Sequence, residues 1–512
     1  MPSEPADTIR RLSVVAQSLR ELQPCVPTAT PFDAVRVLGA SPRLLPEGIS
    51  LSTPRDIELA RRVVACARTD DGLEDLEHWR RCAIQMRREL EEDFSQFLAS
   101  AGLSIAYHAR RDGRLRVLFI SEPAGFSGGE ESLCQLIDHL DRNAFEAYAL
   151  VGGEGAFAAR LRSSGANVIV ASCGFGTSGV ERLLYVLRRV LEVKPHVVHF
   201  NGPVDAPTLH AVVLTQVPFV AHARNALLTD DVDMFRLATR IIAVSEFMKE
   251  RVLRLEIPEE RVSVVYDEVD PDVFTTAAYD KDELRRQYGI PPQAKVALMI
   301  ARLVPNKRHD LFLKAAFEAK TDIPQLHLLL KGDVFVDDVT PDRVVEYIDT
   351  HGMRSWVTIV PFVDDIRKMH SIADVLVLCS DDEALGRCVV EAMAMKVPVI
   401  VSDSGGTHEI VRDGETGFVF SGGDVSALRG CLIEALSDNN RYHHLGRAAR
   451  SYVVDHLTAR ESAARVMALY EQMLSAATQG TIEPEHRYAS AISAQSCRAS
   501  TQLNRRHAVR EP

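Results

Sequence analysis

The spacing of apolar residues changes near residue 116, and this change divides the chain. Within 54–69 and 73–100, apolar residues recur every three or four positions between Arg and Glu. This spacing predicts amphipathic helices, and no strong strand pattern precedes residue 110. We therefore interpret residues 1–110 as an α-helical N-terminal extension. A helical cap on the core is the simpler interpretation, and a surface for an acceptor or a partner is the alternative.

From Arg116 on, short apolar runs alternate with helical stretches. Such runs between helices are typical of buried strands in a parallel sheet. The first series is VLFI (117–120), VVHF (197–200), FVAHA (219–223), IIAVS (241–245) and VSVVY (262–266). The second is VALMIA (296–301), LHLLLKG (326–332), VTIVPF (357–362), VLVLCS (375–380) and VPVIVS (397–402). The predicted fold class is α/β, with two Rossmann-like, doubly wound domains facing a cleft.

The same pattern gives the domain boundaries. It breaks near 271–290, where acidic residues and GIPP interrupt the alternation. We assign 111–275 to an N-terminal Rossmann-like domain, 276–458 to a C-terminal one and 459–476 to a C-terminal helix. Residues 477–512 are polar and aperiodic, which predicts a disordered tail.

Composition narrows the function classes. The 512 residues are 46% apolar and 25% charged, as in a globular protein with more than one domain. The formal net charge of −12 argues against general nucleic-acid binding, which needs an excess of Lys and Arg. The nine cysteines are scattered without a CxxC pair, which fits a reducing compartment and argues against a disulfide framework or a zinc site. We expect no nucleic-acid partner and no metal ligands.

Neither export nor a membrane span is predicted. The N-terminus, MPSEPADTIRRLSVVAQ, has early acidic residues and no long apolar segment, so it differs from a signal peptide. No stretch approaches the roughly 18 uninterrupted apolar residues of a membrane helix. The expected location is the cytoplasm. Peripheral contact with the inner face of the membrane stays open, because an amphipathic helix would not show in these totals. The oligomeric state is not indicated.

Candidate chemistry is sought just after the strands, because open α/β sheets bind ligands beyond the carboxyl ends of their strands. After the first strand, Gly128 and Gly129 open a helix in SEPAGFSGGEESLCQLIDHL. Paired glycines let backbone N–H groups approach a phosphate or a sugar. A tight strand–helix turn without a ligand is an equally good interpretation of this loop.

Cations follow a strand of the second series in ARLVPNKRHDLFLKA (301–315). Arg302 comes directly after the strand, and Lys307 and Arg308 open the next helix. Arg grips oxygens with a planar fork and Lys supplies a compact charge, so this edge suits a diphosphate. A solvated surface pair is the alternative for Lys307 and Arg308. It explains Arg302 less well, because that residue ends a buried strand.

The most informative segment is VLVLCSDDEALGRCVVEAMAMKVPVIVSDSGGTHEIVRDGETGFVF (375–420). A helix opens near Leu385 and Gly386, with Glu383 in the loop before it and Glu391 two turns inside it. The helix N-terminus suits a leaving diphosphate. A carboxylate holds neighbouring hydroxyls well, so Glu391 can bind a ribose and Glu383 a sugar. The alternative is an acidic first turn with a surface Glu.

The spacing Glu383-x7-Glu391, followed by AMA, PVIVSDSGG, HE and DGETGF, closely resembles the retaining GT-B glycosyltransferases of family GT4, or group 1. The resemblance covers roughly 116–475. It includes the ARL…NKR segment, VSEFMKERV (244–252), VVYDEVDPDVF (264–274) and the Gly128–Gly129 loop. It implies a UDP- or GDP-sugar donor, no essential metal or other cofactor, and retention of the anomeric configuration. The N-terminal domain would hold an acceptor hydroxyl of unknown kind, and the C-terminal domain the nucleotide sugar.

The resemblance also implies roles by position. Arg302 and Lys307 would bind the diphosphate, Glu391 the ribose and Glu383 the transferred sugar. Gly129 would lie against the phosphates or the sugar. These cations, together with the dipole of the helix that opens near Gly386, would stabilise the leaving diphosphate, as a metal ion does in other enzymes.

A histidine and three departures from the family pattern complete the prediction. His222, in VPFVAHARN, lies where the family often has an active-site histidine, although a lone His after a strand is often structural. The family's Pro or Gly and Phe after the first Glu are here Ala384 and Leu385. The common Asn-Gly of the YNGVD segment is here DE (267–268), and the Gly before the diphosphate Arg is Ala301. These changes leave the donor open.

The predicted function is therefore a metal-independent retaining glycosyltransferase of glycan, glycolipid or glycoconjugate biosynthesis. One alternative is a GT-B protein that hydrolyses or epimerises a nucleotide sugar without transfer. Another is a non-catalytic scaffold that binds a nucleotide sugar or a partner, because fold does not fix function.

Overall fold

A computed structural model describes residues 113–478, except 123–126, 172–178, 216, 226–231, 276–278, 333–339, 361–362, 364 and 438. The predicted helical extension (1–110) lies outside the described residues. So does the predicted disordered tail (477–512), except for residues 477–478, which are helical. Within 113–478, no helix combines the length and the apolar character needed to cross a membrane.

The first sheet is parallel and has seven strands in the part of the chain that is described. They are β1 Leu115–Ser121, β2 Phe145–Val151, β3 Asn167–Val170, β4 Val197–Phe200, β5 Phe219–Ala223, β6 Arg240–Ala243 and β7 Val262–Val264. The helices in this region are α1 Gly128–Asp138, α2 Ala156–Ser163, α3 Gly179–Val193, α4 Ala206–Leu214, α5 Val232–Leu237 and α6 Glu246–Leu253. The spatial order is β3-β2-β1-β4-β5-β6-β7, which is the doubly wound order of a Rossmann fold with one strand added.

The second sheet repeats this order with six parallel strands. They are β8 Lys295–Ile300, β9 Leu326–Lys331, β10 Val357–Val360, β11 Val375–Leu378, β12 Val399–Ser402 and β13 Gly417–Phe420, in the order β10-β9-β8-β11-β12-β13. The helices here are α7 Lys281–Gln287, α8 His309–Ala319, α9 Thr340–Thr350, α10 Arg367–Ile372, α11 Arg387–Ala394, α12 Val425–Ser437, α13 Asn439–His456 and α14 Ala459–Thr478. The two predicted Rossmann-like sheets are confirmed.

The chain divides into two compact units. The described part of the smaller unit consists of 179–194 and 205–217, without 216. There α3 packs on α4, and Arg182 forms an ion pair with Asp205. The larger unit contains both sheets and the remaining described helices. All site residues discussed below belong to this larger unit.

Apolar strands build the cores, and the last helix contributes to the first of them. Val117 and Phe119 of β1, together with Val220 of β5, form a buried cluster with residues of α1. Val466 and Tyr470 of α14 lie in the same cluster. Helix α14 (Ala459–Thr478) spans the range predicted for a C-terminal helix, 459–476, and packs on the first sheet. A separate cluster joins one face of the second sheet to α8, α9 and α12.

Three strands lie outside the predicted series. β2 (FEAYALV) carries polar residues between its apolar ones, and β3 (NVIV) and β13 (GFVF) have only four residues each. Helix α7 also lies inside the predicted break at 271–290. Length alone does not explain the miss, because β4 and β6 also have four residues. A charged residue interrupts β2, and β3 and β13 begin with Asn and Gly, which favour turns, so the pattern did not mark these three strands.

Candidate active site

The candidate residues gather where strand order reverses in each sheet. β1 and β4 are neighbours in the first sheet, and β8 and β11 are neighbours in the second. Loops leave in opposite directions at such a point, so a crevice opens beyond the carboxyl ends of the two strands. The segments that follow these four strands contain Gly128 and Gly129, Asn201, Lys307 and Glu383.

Lys307 and Glu383 meet at the second of these points. The Lys307 Nζ atom lies 2.5 Å from Glu383 Oε2, and each side chain is about 15% exposed. Lys307 ends a 3-10 turn, Pro305–Lys307, after β8, and Glu383 lies in the loop after β11. The cation predicted for the diphosphate and the carboxylate predicted for the sugar therefore lie side by side.

Glycines hold the Glu383 loop in place. Gly386 has φ +87° and is the N-cap of α11, and a Cβ atom there would lie 2.7 Å from Leu378 Cδ2. Any larger residue would meet both backbone strain and a steric clash. The N–H of Gly406, in the loop after β12, donates to the carbonyl of Glu383 at 2.8 Å. The predicted helix opening at Leu385–Gly386 is confirmed, and Leu385 itself is buried beneath it.

Glu391 is buried in α11, and both of its carboxylate oxygens have partners. Arg387 Nε lies 3.0 Å from Oε1, and His370 Nε2 of α10 lies 3.3 Å from Oε2. Burial alone would raise the pKa of Glu391, but the His370 hydrogen bond and the Arg387 charge outweigh it and hold the pKa below its usual value. Glu391 is therefore ionised at neutral pH. It is not the exposed surface Glu of the alternative interpretation.

Arg387 connects the second sheet's loops to the first domain. Besides Glu391, its Nη1 atom donates to Ser132 Oγ in α1 at 2.7 Å and to the carbonyl of Glu268 at 2.8 Å. The side chain is buried, and its Cδ would lie 3.3 Å from a Cβ atom on Gly128. Gly128 thus leaves room for this arginine, a role not inferred from the sequence.

Gly129 belongs to a chain of polar contacts at the edge of the first sheet. Asn201 Nδ2 donates to the Gly129 carbonyl at 3.2 Å, and Arg224 Nε donates to Asn201 Oδ1 at 3.2 Å. Arg224 also forms an ion pair with Asp267, and both side chains are nearly buried. Helix α1 begins at Gly128 as predicted, with the Glu130 carboxylate accepting from the Ser127 N–H at 3.0 Å.

The DE (267–268) departure places two carboxylates beside these arginines. Asp267 pairs with Arg224, whereas the Glu268 side chain is buried. Burial and the neighbouring Asp267 carboxylate raise the pKa of Glu268 to about 8, despite the opposing charges of Arg224 and Arg387. A protonated Glu268 at neutral pH removes one of the two added negative charges from this edge.

His222 lies near the end of β5, buried in the first domain. Its Nδ1 atom is 3.2 Å from His199 Nε2, and its Nε2 atom has no hydrogen-bond partner among the described residues. Arg302, in contrast, is exposed in the turn after β8. The described residues show no side-chain contact between His222 and the Lys307–Glu383 pair, so the sequence's assignment of both to one site stays a prediction.

Further bonds join the loops of the two sheets. Ser245 Oγ, before α6, donates to the Ala384 carbonyl at 2.6 Å. The Glu409 carboxylate accepts from the backbone N–H groups of Glu246 and Phe247 at 2.8 and 2.7 Å, at the N-terminus of α6. The carboxyl-end loops of the two domains are therefore in direct contact around the candidate site.

The sequence held signals for some of the residues that were missed. Arg224 follows His222 by two positions, and Asn201 directly follows a predicted strand. Arg387 stands one turn before Glu391, at the spacing of a helical ion pair. His370 gave no signal, because only the packing of α10 on α11 brings it to Glu391. Among described residues, no group of three or more His, Cys, Asp or Glu is arranged to hold a metal ion.

Two Rossmann-like sheets with their carboxyl-end loops in contact define a GT-B protein. Two family models match this chain: residues 126–273 match Glycosyltransferase Family 4, and residues 280–452 match Glycosyl transferases group 1. Together the matches span more than half of the chain, and the chain belongs to this family of glycosyltransferases.

Curated relatives match over part of their length. The N-acetyl-alpha-D-glucosaminyl L-malate synthase of Bacillus anthracis is 24% identical over 244 residues, which are 47% of this chain and 62% of that protein. The D-inositol 3-phosphate glycosyltransferase of Mycobacterium sp. (strain KMS) is 31% identical over 192 residues, 37% of this chain and 42% of that protein. The chain thus spans less than two thirds of either relative.

Solved structures match over most of the described chain. Anabaena HepE, in complex with UDP and glucose, gives a TM-score of 0.63 at 21% identity, over 70% of this chain and 100% of that one. A glycosyltransferase from Rickettsia africae gives 0.62 at 20% identity, over 70% and 99%. At these identities the likeness shows the fold, and it confirms the GT-B arrangement.

Proposed function

We propose that this protein transfers a sugar from a nucleoside-diphosphate sugar to an acceptor hydroxyl, without a metal ion and with retention of anomeric configuration. The Lys307–Glu383 ion pair carries the proposal, because it places one cation and one carboxylate in contact beside the N-terminus of α11. The cation can bind the diphosphate, and the carboxylate can accept hydrogen bonds from the sugar hydroxyls. An incoming donor supplies phosphate oxygens that replace Glu383 as the partner of Lys307.

In this proposal, catalysis takes place at the diphosphate end of the donor. Negative charge grows on the leaving phosphate as the glycosidic bond breaks, and positioned cations and helix N–H groups stabilise that charge. Lys307 supplies the cation, and the first turn of α11 supplies the N–H groups. Arg302, which is exposed, follows β8 in the sequence, as Lys307 does. In a closed cleft these groups take the place of a metal ion.

The nucleoside end rests on Glu391. Each carboxylate oxygen has two lone pairs, and the described partners of Glu391 use one on each oxygen. The remaining lone pairs can accept from the two ribose hydroxyls. The depressed pKa keeps this carboxylate ionised for that role.

Retention follows, in this proposal, from attack on the face that the diphosphate leaves. The acceptor oxygen bonds to the anomeric carbon as the bond to phosphate breaks, and a phosphate oxygen takes the hydroxyl proton. Glu383 then holds sugar hydroxyls and forms no covalent bond. The acceptor is left unspecified. UDP is the first nucleotide to test, since HepE was solved with UDP and glucose.

Nucleotide binding is the decisive experiment. UDP, GDP, ADP and dTDP are titrated by calorimetry into the full chain in EDTA, with wild type, Glu391→Gln and the exposed control Glu415→Gln. We expect one nucleotide to bind wild type and the control, and to bind Glu391→Gln at least about tenfold more weakly, the loss of one hydrogen bond to a charged group. Binding of no nucleotide would favour a scaffold.

Turnover then separates transfer from its alternatives. Product NMR with the matching sugar nucleotide and simple glycoside acceptors reads the anomeric configuration directly. An inverted product would refute retention, and free sugar in place of a glycoside would indicate a hydrolase. Activity that disappears in EDTA and returns with Mn²⁺ would refute the metal-free proposal.

A further inference from the structure

Three polar side chains form a row inside the first domain. Tyr470 Oη lies 2.6 Å from His199 Nδ1, and His199 Nε2 lies 3.2 Å from His222 Nδ1. Tyr470 and His199 are fully buried, and His222 is 4% exposed. The row ends at His222 Nε2, a buried atom with no hydrogen-bond partner among the described residues. A buried polar atom without a hydrogen bond lowers the stability of the fold, unless a bound ligand supplies the missing partner.

Both histidines are neutral at physiological pH. Burial and the Arg224 charge lower the pKa of His199 to about 3. Burial, Arg224 and His199 lower the pKa of His222 well below its usual value. Burial keeps the pKa of Tyr470 well above 10, so its hydroxyl retains its proton. Each imidazole ring therefore has one N–H group and one bare nitrogen.

Two proton arrangements fit this row. In one, Tyr470 donates to His199 Nδ1, His199 Nε2–H donates to His222 Nδ1, and His222 Nε2 carries a proton. In the other, every bond is reversed, and the Tyr470 hydrogen is left without an acceptor among the described residues. A bare imidazole nitrogen is a better acceptor than a phenol oxygen, and a phenol O–H is the better donor. The first arrangement therefore prevails, and a ligand acceptor then satisfies every N–H and O–H group.

We propose that Tyr470 and His199 are positioning residues that fix His222 as the Nε2–H tautomer, a neutral hydrogen-bond donor to an oxygen of the bound substrate. The substrate in this inference rests on the proposed sugar transfer. The tautomer is a property of the ligand-free protein. His222 is then excluded as a general base, because its outer nitrogen already carries the proton.

The tautomer is tested by NMR. The full chain is labelled with ¹⁵N-histidine and long-range ¹H–¹⁵N spectra are recorded without ligand, with His222→Gln and His199→Gln assigning the two spin systems. We expect both rings as Nε2–H tautomers in wild type and a tautomer mixture at His222 in Tyr470→Phe. An Nδ1–H tautomer at His222, or spectra unchanged by Tyr470→Phe, would overturn the proposal.

Kinetics separate positioning from a structural effect. Tyr470→Phe is expected to lower kcat about tenfold, the effect of one misplaced hydrogen bond. In a His222→Leu background the same change should have no further effect, since no tautomer remains to be set. Equal losses in both backgrounds would show a structural role only. Tyr148→Phe, which removes a β2 hydroxyl bonded to Glu146, is the matched control and should leave kcat unchanged.

The two tests also separate this inference from the proposed function. If His222 is the Nε2–H tautomer but no sugar nucleotide is turned over, the role of Tyr470 and His199 in fixing the tautomer holds and sugar transfer is refuted. If a sugar nucleotide is turned over but His222 is the Nδ1–H tautomer, sugar transfer holds and the tautomer proposal is refuted.

Discussion

The carboxylates of the site differ in the partners that hold them. Glu383 has one lysine at 2.5 Å, and Glu391 has an arginine and a histidine. Glu268 is buried next to Asp267, and its pKa rises accordingly. At the scale of single residues, the partners of a carboxylate therefore set its charge. Arg387 and His370 keep Glu391 ionised, whereas Glu268 stays protonated at neutral pH and leaves Asp267 to pair with Arg224.

The charge of Lys307 can be tested directly. Lys307→Ala should lower kcat/KM for the donor about 100-fold, the usual effect of removing one group that stabilises transition-state charge. Lys314→Ala removes an exposed lysine from the following helix, α8, and should leave kcat/KM unchanged. Equal effects of the two changes on steady-state rates would contradict the assignment.

The pKa of Glu268 predicts a pH-dependent difference in stability. Its folded-state pKa, about 8, lies above the usual 4.5, so its contribution is full below pH 4.5 and is lost as pH rises to 8. Glu268→Gln does not titrate. As pH rises through this range, the free energy of unfolding of Glu268→Gln should therefore increase relative to that of wild type, by up to about 1.4 kcal/mol per pH unit. Urea unfolding at pH 5.5 and 8.5 measures the gap. The exposed control Glu346→Gln should show none, and a constant gap for Glu268→Gln would refute the shift.

At the scale of elements, helix α11 has both ends fixed by left-handed residues. Gly386 precedes it at φ +87° and Lys396 follows it at φ +60°. The Lys396 carbonyl lies against α13, where a Cβ atom on Gly446 would be 2.2 Å from the oxygen. The position of α11, and so of Glu391, depends on this close approach.

Two helix glycines should respond to alanine with opposite signs. Gly446→Ala forces α13 away from α11 and should lower the free energy of unfolding by about 1–3 kcal/mol. Gly430, inside α12, has open space around it. Gly430→Ala should therefore raise the free energy by about 0.5–1 kcal/mol through helix propensity. Urea denaturation of both variants checks this, and an unchanged or raised free energy of unfolding for Gly446→Ala would show that the close approach of α13 to α11 is not limiting.

At the scale of the whole molecule, bonds between the domains surround the site. Arg387, Ser245 and Glu409 each join a loop of the second sheet to the first domain. The Glu409 carboxylate also caps α6, whose N-terminal N–H groups would otherwise lack partners. Closure of the two domains and stability of α6 are therefore linked through one side chain.

Glu409→Ala should loosen this closure. We expect a larger radius of gyration in small-angle X-ray scattering without nucleotide, and a loss of about 1 kcal/mol of stability from the missing cap. Glu415→Ala, an exposed glutamate six positions on, is the control for charge. Scattering profiles that superimpose for all three proteins would show that the other bonds suffice to hold the domains together.

Much of this fold could be predicted, because strands buried on both faces leave continuous apolar runs. The runs of β1 and β8 located the loops that hold Gly128 and Lys307. The pairing of these residues could not be predicted. Lys307 meets Glu383 across 76 positions, and Tyr470 meets His199 across 271. Such contacts depend on how helices return to a sheet, which local spacing does not encode. The functional roles given to Arg302, Glu391 and His222 stay predictions.

The place of α14 has a consequence for synthesis. This helix covers one face of the first sheet, yet residues 265–458 separate the last strand of that sheet from it. On a translating ribosome, Val117, Phe119 and His199 stay without their final cover until α14 emerges, after the second domain is made. The first domain therefore matures last, and nascent chains pass through a long interval in which chaperones can bind the uncovered face.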